Sequence, residues 1–415
     1  MHPTRSVSPS MRRQRGAATV IVVLVLLGAI LLGAAFANRG LLLEARMSAN
    51  QARSTVAFEA AEAGLEWTLA QLNDTRRIGF DCRADAAAAT SFRERYLVIS
   101  PASIAGRPGA SGATVHPACV RSASGWQCGC PVDGTAVPAA PSGEEPAASF
   151  TVEFAPGGQA GVLKVAVTGC ADAACSAASP ASARVEAAFA LVPALATAPA
   201  APLTARGNVG IGIAPLGLHN PDPAAGVALH AGGTIDASAA RLTLPAGASL
   251  AGAFVGQDAA LAALDGDRLF TSLFGLSKPA WQRRPVVRRI SCSGDCSADL
   301  AAAIGSEVTD PMIWIDGDAS IAGPLTLGRP DRPVAIVAGG RLQLRDGVTV
   351  HGVVYAGAVA WSGSAAGAQV HGALISESDY GGDAAADLHR DAEVLTALRT
   401  RTGSFVRVAG SWRDF

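Results

Sequence analysis

Residues 12–38 read RRQRGAATVIVVLVLLGAILLGAAFAN, and the nature of this stretch decides the rest. Three arginines and a glycine precede residues 17–37, which contain neither a charge nor a proline. At about 1.5 Å rise per residue, a helix of that length spans roughly 30 Å, the hydrocarbon thickness of a bilayer. A secretory signal has a shorter apolar region, about 7–15 residues, with a small-residue cleavage site beyond it. Here the small-residue junction, Gly16-Ala17, lies before the apolar run. The segment therefore reads as one that stays in the inner membrane. Its flanking arginines place the N-terminus in the cytoplasm and the bulk of the chain in the periplasm, by the positive-inside rule.

The helix need not end at the membrane surface, because no proline occurs from residue 17 to Ser100. Beyond the apolar run, Leu43, Met47, Ser54, Phe58, Ala61, Leu65, Leu69 and Leu72 fall mostly three or four residues apart, which marks one face of a helix. The pattern predicts one helix over about residues 17–72, lipid-soluble in its first part and amphipathic after it. A plain anchor has no use for the second part. A subunit that packs a stalk against neighbours does.

The leader RRQRG, the break at Gly16-Ala17, the run AATVIVVLVLLGAILLG and the following LLLEARMSANQARSTVAFEAAEAGLEWTLAQLN resemble the N-terminal region of PilX-type minor pilins of type IV pili. The resemblance covers about residues 11–73, and the EARMSAN and AFEAAEAGL blocks carry most of it. It implies cleavage after Gly16 by a prepilin peptidase on the cytoplasmic face, with Ala17 as a mature, commonly N-methylated N-terminus. It also implies other pilins and minor pilins as partners, with Ile21, Glu44, Met47, Phe58, Glu62 and Leu65 on the filament-packing helix. Major pilins carry glutamate as the fifth mature residue. This chain has Ile21 there, as minor subunits of this type often lack that glutamate.

The 415 residues as a whole are 49% hydrophobic but only 5% aromatic, with 46 glycines and 24 prolines, a composition suited to β-structure with many turns. Eight cysteines, at 82, 119, 128, 130, 170, 175, 292 and 296, all follow the apolar segment. An even count outside the cytoplasm reads as disulfides. Cys170–Cys175 and Cys292–Cys296 are the expected local pairs. Cys82, Cys119, Cys128 and Cys130 leave two pairings open once Cys128–Cys130 is set aside, and a four-cysteine zinc site is the competing reading.

Residues 100–148, rich in proline, glycine, serine and alanine, read as a disulfide-tied loop region. FTVEF, VLKVAVTG and ARVEAAFALV, at about 150–154, 162–169 and 183–192, read as three antiparallel strands of a small pilin-like sheet that closes a periplasmic region 38–192. Residues 193–203 read as a stiff linker. Over 204–382 short β-branched pieces alternate with glycines, and VHGVV at 350–354 returns as VHGAL at 370–374. That period suits one rung of a short β-solenoid, with an irregular sandwich as the alternative. Helical stretches mark 257–310 as an insertion. Residues 383–415 read as a C-terminal helix and tail, with Asp383 as N-cap, Leu388, Leu395 and Leu398 on one face, and Gly403 as the stop. The fold class is thus α+β: a long N-terminal helix, a small antiparallel sheet and a mainly β C-terminal domain.

Formal net charge is −1, and the leader takes four arginines with it when removed, so no basic stripe remains for nucleic acid. Asp316 and Asp318 in IDGDAS and Asp265 and Asp267 in LDGDR are the best carboxylate pairs, and each also reads as an ordinary turn. His351 and His371 fall one repeat apart and stack there without a third ligand in view. No GxSxG, P-loop or HExxH occurs, and neither catalysis, a cofactor nor a small-molecule substrate is expected. The sequence therefore points to a minor pilin acting in pilus assembly, with adhesion or motility as further roles. The alternatives are the tip pseudopilin of a type II secretion system and a membrane-tethered envelope protein that binds or cleaves carbohydrate.

Overall fold

A computed structural model describes residues 16–415 apart from 135–137, 139–146, 177–178, 180, 213–214, 225, 238–239, 306–307, 310, 364–366 and 415. Apart from Gly16, the leader lies outside the described residues. The chain divides into two compact units, residues 1–56 and 57–415. The helix anticipated from the apolar run and its amphipathic continuation is a single element, Ala17–Asn73. In the first unit it contains an 18-residue window of mean hydropathy 3.0, none of it buried, and is long and apolar enough to cross a membrane.

In the second unit the last turns of that helix bury Ala57, Ala60, Ala61, Gly64, Leu65, Thr68 and Leu72. These positions fall on one face at helical spacing, and most are small. Small residues let the helix backbone approach a sheet closely, and the sheet answers with a glycine of its own. A Cβ at Gly169 would collide with the backbone of Ala57 and Ala61, and one at Gly64 would lie 2.6 Å from Val167 Cγ1. Larger side chains surround the contact. Trp67 packs on Phe92 and Phe150 at 5.5 and 5.6 Å between ring centroids, and Leu65, Leu163, Val165 and Phe189 are fully or almost fully buried.

The sheet is antiparallel and larger than the three strands expected. Its order is Gly403–Arg407, Ser182–Pro193, Val162–Cys170, Ser149–Pro156, Ala118–Ser122 and Gly125–Gly129, with Arg413–Asp414 also paired to Ser182–Pro193. The hairpin 118–129 lies in the stretch read as loop, since a disulfide between facing strands replaces the apolar alternation that would have signalled it. The C-terminal corrections have one cause. Leu388 sits in a strand, Asp387–His389, so the helix begins later, at Ala392–Thr400, and its cap is Asp391 in place of Asp383. The Asp391 carboxylate accepts from the amides of Glu393 and Val394 at 3.0 and 3.1 Å. Gly403 lies beyond the end of that helix, where it opens the strand that pairs Pro193, and a Cβ there would strike the Val192 carbonyl.

Among the described residues, the named strands from Leu203 to His389 pair with one another in parallel. Leu203–Ala205, Val209–Gly210 and Gly217–His219 make one turn of a coil, on which Leu229–Ala231, Ile235–Asp236 and Arg241–Thr243 stack in register. Phe254–Val255 follows at that end. The chain then passes through the helices Ala259–Ala262, Gly266–Phe274 and Lys278–Gln282. It re-enters the sheet with Val287–Ile290 and Gly294–Asp295, so part of the stretch read as an insertion belongs to the coil itself. From there it winds through Met312–Ile315, Ala319–Ala322, Val334–Arg345, Val348–Ser362 and Gln369–Ser376. The last turn closes back on the first one: Leu374 pairs Leu203, Tyr380 pairs Val209 and Asp387 pairs Gly217. The first turn wound therefore lies inside the stack.

The VHG repeat has a backbone origin. Gly352 and Gly372 are register partners with φ of 156° and 142°, and a Cβ on either would run into the carbonyl of the turn beneath. Ile313, Ile315, Ile336, Val354 and Leu374 fill the coil interior. Their neighbours Trp314, Val337, Tyr355 and Ile375 point outward, under Phe270, Phe274 and Trp281 of the connecting helices and Leu395 and Leu398 of the last helix. Burial on both faces explains why these strands read as continuous apolar runs.

Residues 193–203 are not a free linker. Ala194, Leu195, Ala201 and Leu203 are fully buried. The coil departs from the antiparallel sheet at Pro193 and returns at Gly403, and these two are register partners. Arg284 closes this neck. Its guanidinium donates to Ser404 Oγ and the Pro193 carbonyl, both at 2.8 Å, and to the Val192 carbonyl. Burial, with Arg93 nearby, pushes its pKa down to about 10.

Two substitutions test these contacts by thermal melting. Gly169→Val should cost about 1–3 kcal/mol or more, because backbone stands where the side chain would go. Arg284→Met keeps the volume but leaves two carbonyls and a hydroxyl without their donor, and should cost about 2–4 kcal/mol.

Candidate functional site

The candidate site is the N-terminal helix and its junction. Gly16 immediately precedes the helix, and Ala17 is its first residue. The Gly16 carbonyl accepts from the Val20 amide at 3.4 Å and from Thr19 Oγ1 at 3.3 Å. There is no acidic residue in the first turn to balance the positive end of the helix dipole. Ile21 is 62% exposed and offers no charge to a neighbour. Glu44 is exposed, and so is Met47 at 64%. The apolar surface of residues 20–36 thus presents only packing groups.

The other three helix positions have partners within the second unit. Leu65 is 1% exposed, inside the chain's own core, which takes it off any surface available to another subunit. Phe58 meets Trp412 edge-on at 6.3 Å, and Glu62 accepts from Trp412 Nε1 at 2.7 Å. Arg407 pairs with Glu66 at 3.0 Å. Trp412 went unnoticed in the sequence, although a tryptophan in the polar tail GSWRDF was itself a signal. The helical period that marked Phe58 and Leu65 places both on the face turned toward the chain's own second unit; a period cannot say whether the partner is another chain or this one.

The cysteines pair as Cys82–Cys130, Cys119–Cys128, Cys170–Cys175 and Cys292–Cys296, with Cα separations of 5.2, 4.0, 5.1 and 5.6 Å. Cys119 and Cys128 face each other across the hairpin, while Cys82–Cys130 ties the segment after the helix to that hairpin's end. The carboxylates considered for chemistry have structural tasks. Asp316 accepts from Ser291, Arg289 and Trp314, and hydrogen bonds from Ser291 and then Arg289 hold it below the usual carboxylate range. Asp318 takes the Arg341 amide at 2.7 Å, and Asp265 caps the helix Gly266–Phe274.

Residues 15–66 match the family model described as PilX N-terminal. This stretch is similar to the N-terminal region of PilX proteins. The matched PilX residues begin just before the Gly16-Ala17 junction and include the whole apolar part of the helix. Among solved structures, the chain is similar to the competence-associated pilin ComZ from Thermus thermophilus, at 13% identity over 88% of this chain and 97% of that one. With a TM-score of 0.21, that likeness carries no argument about the fold. No curated protein matches the sequence.

Mass mapping of peptides under non-reducing conditions should recover the four pairs above and no free thiol. Linkage of Cys82 to Cys128, or of Cys119 to Cys130, would contradict the hairpin register.

Proposed function

We propose that the chain is a minor pilin-like structural subunit of the type IV pilus system. Prepilin peptidase cleaves it between Gly16 and Ala17, residues 17–37 hold it in the inner membrane before assembly, and its helix then packs among other pilins. Its work is done by packing, with no catalytic step, in pilus assembly and from there in adhesion or motility. The observation that carries this reading is the coincidence of three features on one segment: the PilX match at 15–66, the apolar window and the small-residue junction.

Ile21 refines the proposal. In a pilus, a buried glutamate at the fifth mature position is tolerated because a neighbour's N-terminal amine compensates it, and an unpaired buried charge costs several kcal/mol. Ile21 cannot receive such an amine, while the chain's own Ala17 amine can still reach a glutamate on another subunit. This asymmetry suits a low-copy subunit at the tip or in the initiating complex. The tip pseudopilin of a type II secretion system shares this logic, and neighbouring genes distinguish the two systems.

N-terminal sequencing of envelope material should find Ala17, and Gly16→Leu should leave the leader uncut. A mature start beyond residue 37 would remove the helix and the proposal with it. Immunolabelling of sheared pili should mark ends sparsely; dense, even decoration of the shaft would show that Ile21 does not restrict position.

A further inference from the structure

Four of the chain's seven histidines form one column. His351 stands opposite His371, His371 opposite His389, and His389 opposite His219, on adjacent parallel strands. The rings stack at 4.7, 4.8 and 4.3 Å between centroids, within 15° of parallel. Strand spacing dictates this, because identical residues in register on parallel strands must lie about 4.8 Å apart. The column also crosses a particular place. Strand Asp387–His389 pairs Gln369–Ser376 on one side and Gly217–His219 on the other, so His389 on His219 is the contact between the last turn wound and the first.

Neutral imidazoles stack without penalty, whereas charged ones at this separation repel one another. The groups around the column offer limited relief. Asp387 Oδ1 accepts from His219 Nε2 at 3.0 Å but also from Arg241 at 2.8 Å. His219 Nδ1 meets Thr243 Oγ1 at 2.8 Å, and His371 Nε2 meets the Gln369 side-chain oxygen at 3.1 Å. From the helix packed on this face, Asp391 favours protonation of His351 and His389, while Glu393 is solvent-exposed. Arg390 is committed to Asp222 at 2.7 Å. Two carboxylates, one of them shared with an arginine, thus face four imidazoles. Burial and then neighbouring imidazoles lower the pKa of His351, and bring that of His389 down to about 4.

We infer that the column is an acid-sensitive clasp: with neutral rings it closes the seam between the last and first turns of the coil, and protonation opens it. The sign follows from the lowered folded-state values. The unfolded chain binds protons at about pH 6.5, before the folded one does, so the stability contributed by neutral rings is complete above that pH and is lost as pH falls towards about 4.

Hydrogen exchange on the full chain in detergent micelles, at about pH 7.5 and about pH 5 and corrected for intrinsic rates, tests the clasp. Amides of residues 217–219 and 387–389 should exchange about tenfold faster at the lower pH, while those of Val162–Cys170 keep their protection. Unchanged protection at the seam overturns the clasp, as does a uniform loss across both sets, which reports global acid unfolding. His389→Gln and His219→Gln retain a polar group that does not titrate near neutrality. Each should flatten the acid response of the seam, and the pair should do so most. If the pair does not fold, the single variants decide: an undiminished response in both would place the titration outside His389 and His219 and overturn the inference.

Discussion

The joint at Pro193 and Gly403 is the constraint on which the second unit depends. Everything between them is one long excursion from a single antiparallel pairing, and the excursion closes because its two ends are hydrogen-bonded neighbours. Such a neck places two carbonyls of one strand and a hydroxyl of the other in a buried environment, where a polar group without a partner costs about 1–3 kcal/mol. Arg284 is suited to the task, since a guanidinium presents several donors in a fixed plane and can serve two carbonyls and a hydroxyl at once. A lysine could reach the same place but would not fix the geometry. The burial of Ala194 and Leu195 beside Trp281 and Phe270 then turns what composition presents as a spacer into part of a core.

The N-terminal helix illustrates a related economy. One periodic pattern continues along it, yet its residues meet different environments: lipid-compatible surface in the first unit, and the chain's own sheet in the second. The approach at Gly64 and Gly169 allows backbone to lie against backbone there, which only small residues permit. The alanines and glycine of AFEAAEAGL thus have a reason that is internal to the chain, alongside any role in assembly.

What could be read from sequence follows a physical division. The helix was legible because length, absence of proline and apolar content all agree over residues 17–72. The strands around 150–154, 162–169 and 183–192 were legible from alternation, and the VHG repeat because it places the same glycine at the same corner twice. The order of stacking was hidden. A parallel ladder fixes which residues lie opposite each other, but nothing local in Leu203–Ala205 states that its neighbour on one side comes 171 residues later, at Leu374–Ser376. The hairpin 118–129 was hidden by its proline- and glycine-rich flanks. Arg284 gave no sign, because an arginine that binds backbone carbonyls and a hydroxyl has no charged partner to search for. In the candidate site, the Gly16-Ala17 junction and Ile21 could be located by position alone, while Trp412, the partner of Phe58 and Glu62, lies some 350 residues away in sequence.

The interior position of the first turn has a mechanical consequence. Tension reaching the coil through the antiparallel sheet enters near Leu203 and leaves near His389, and these lie on adjacent turns held side by side by Leu374–Leu203 and Asp387–Gly217 pairing. The load path is therefore short. Turns at either end of the stack, around Phe254–Val255 and Val287–Ile290, are bypassed, and cannot be peeled off one by one as they could be if the chain entered at one end and left at the other. Only the shear strength of the central seam opposes the pull, with many parallel hydrogen bonds and packed side chains loaded together. A coil wound in this order behaves as a bead clipped onto its support and keeps its outer surfaces unstrained while the support is under force.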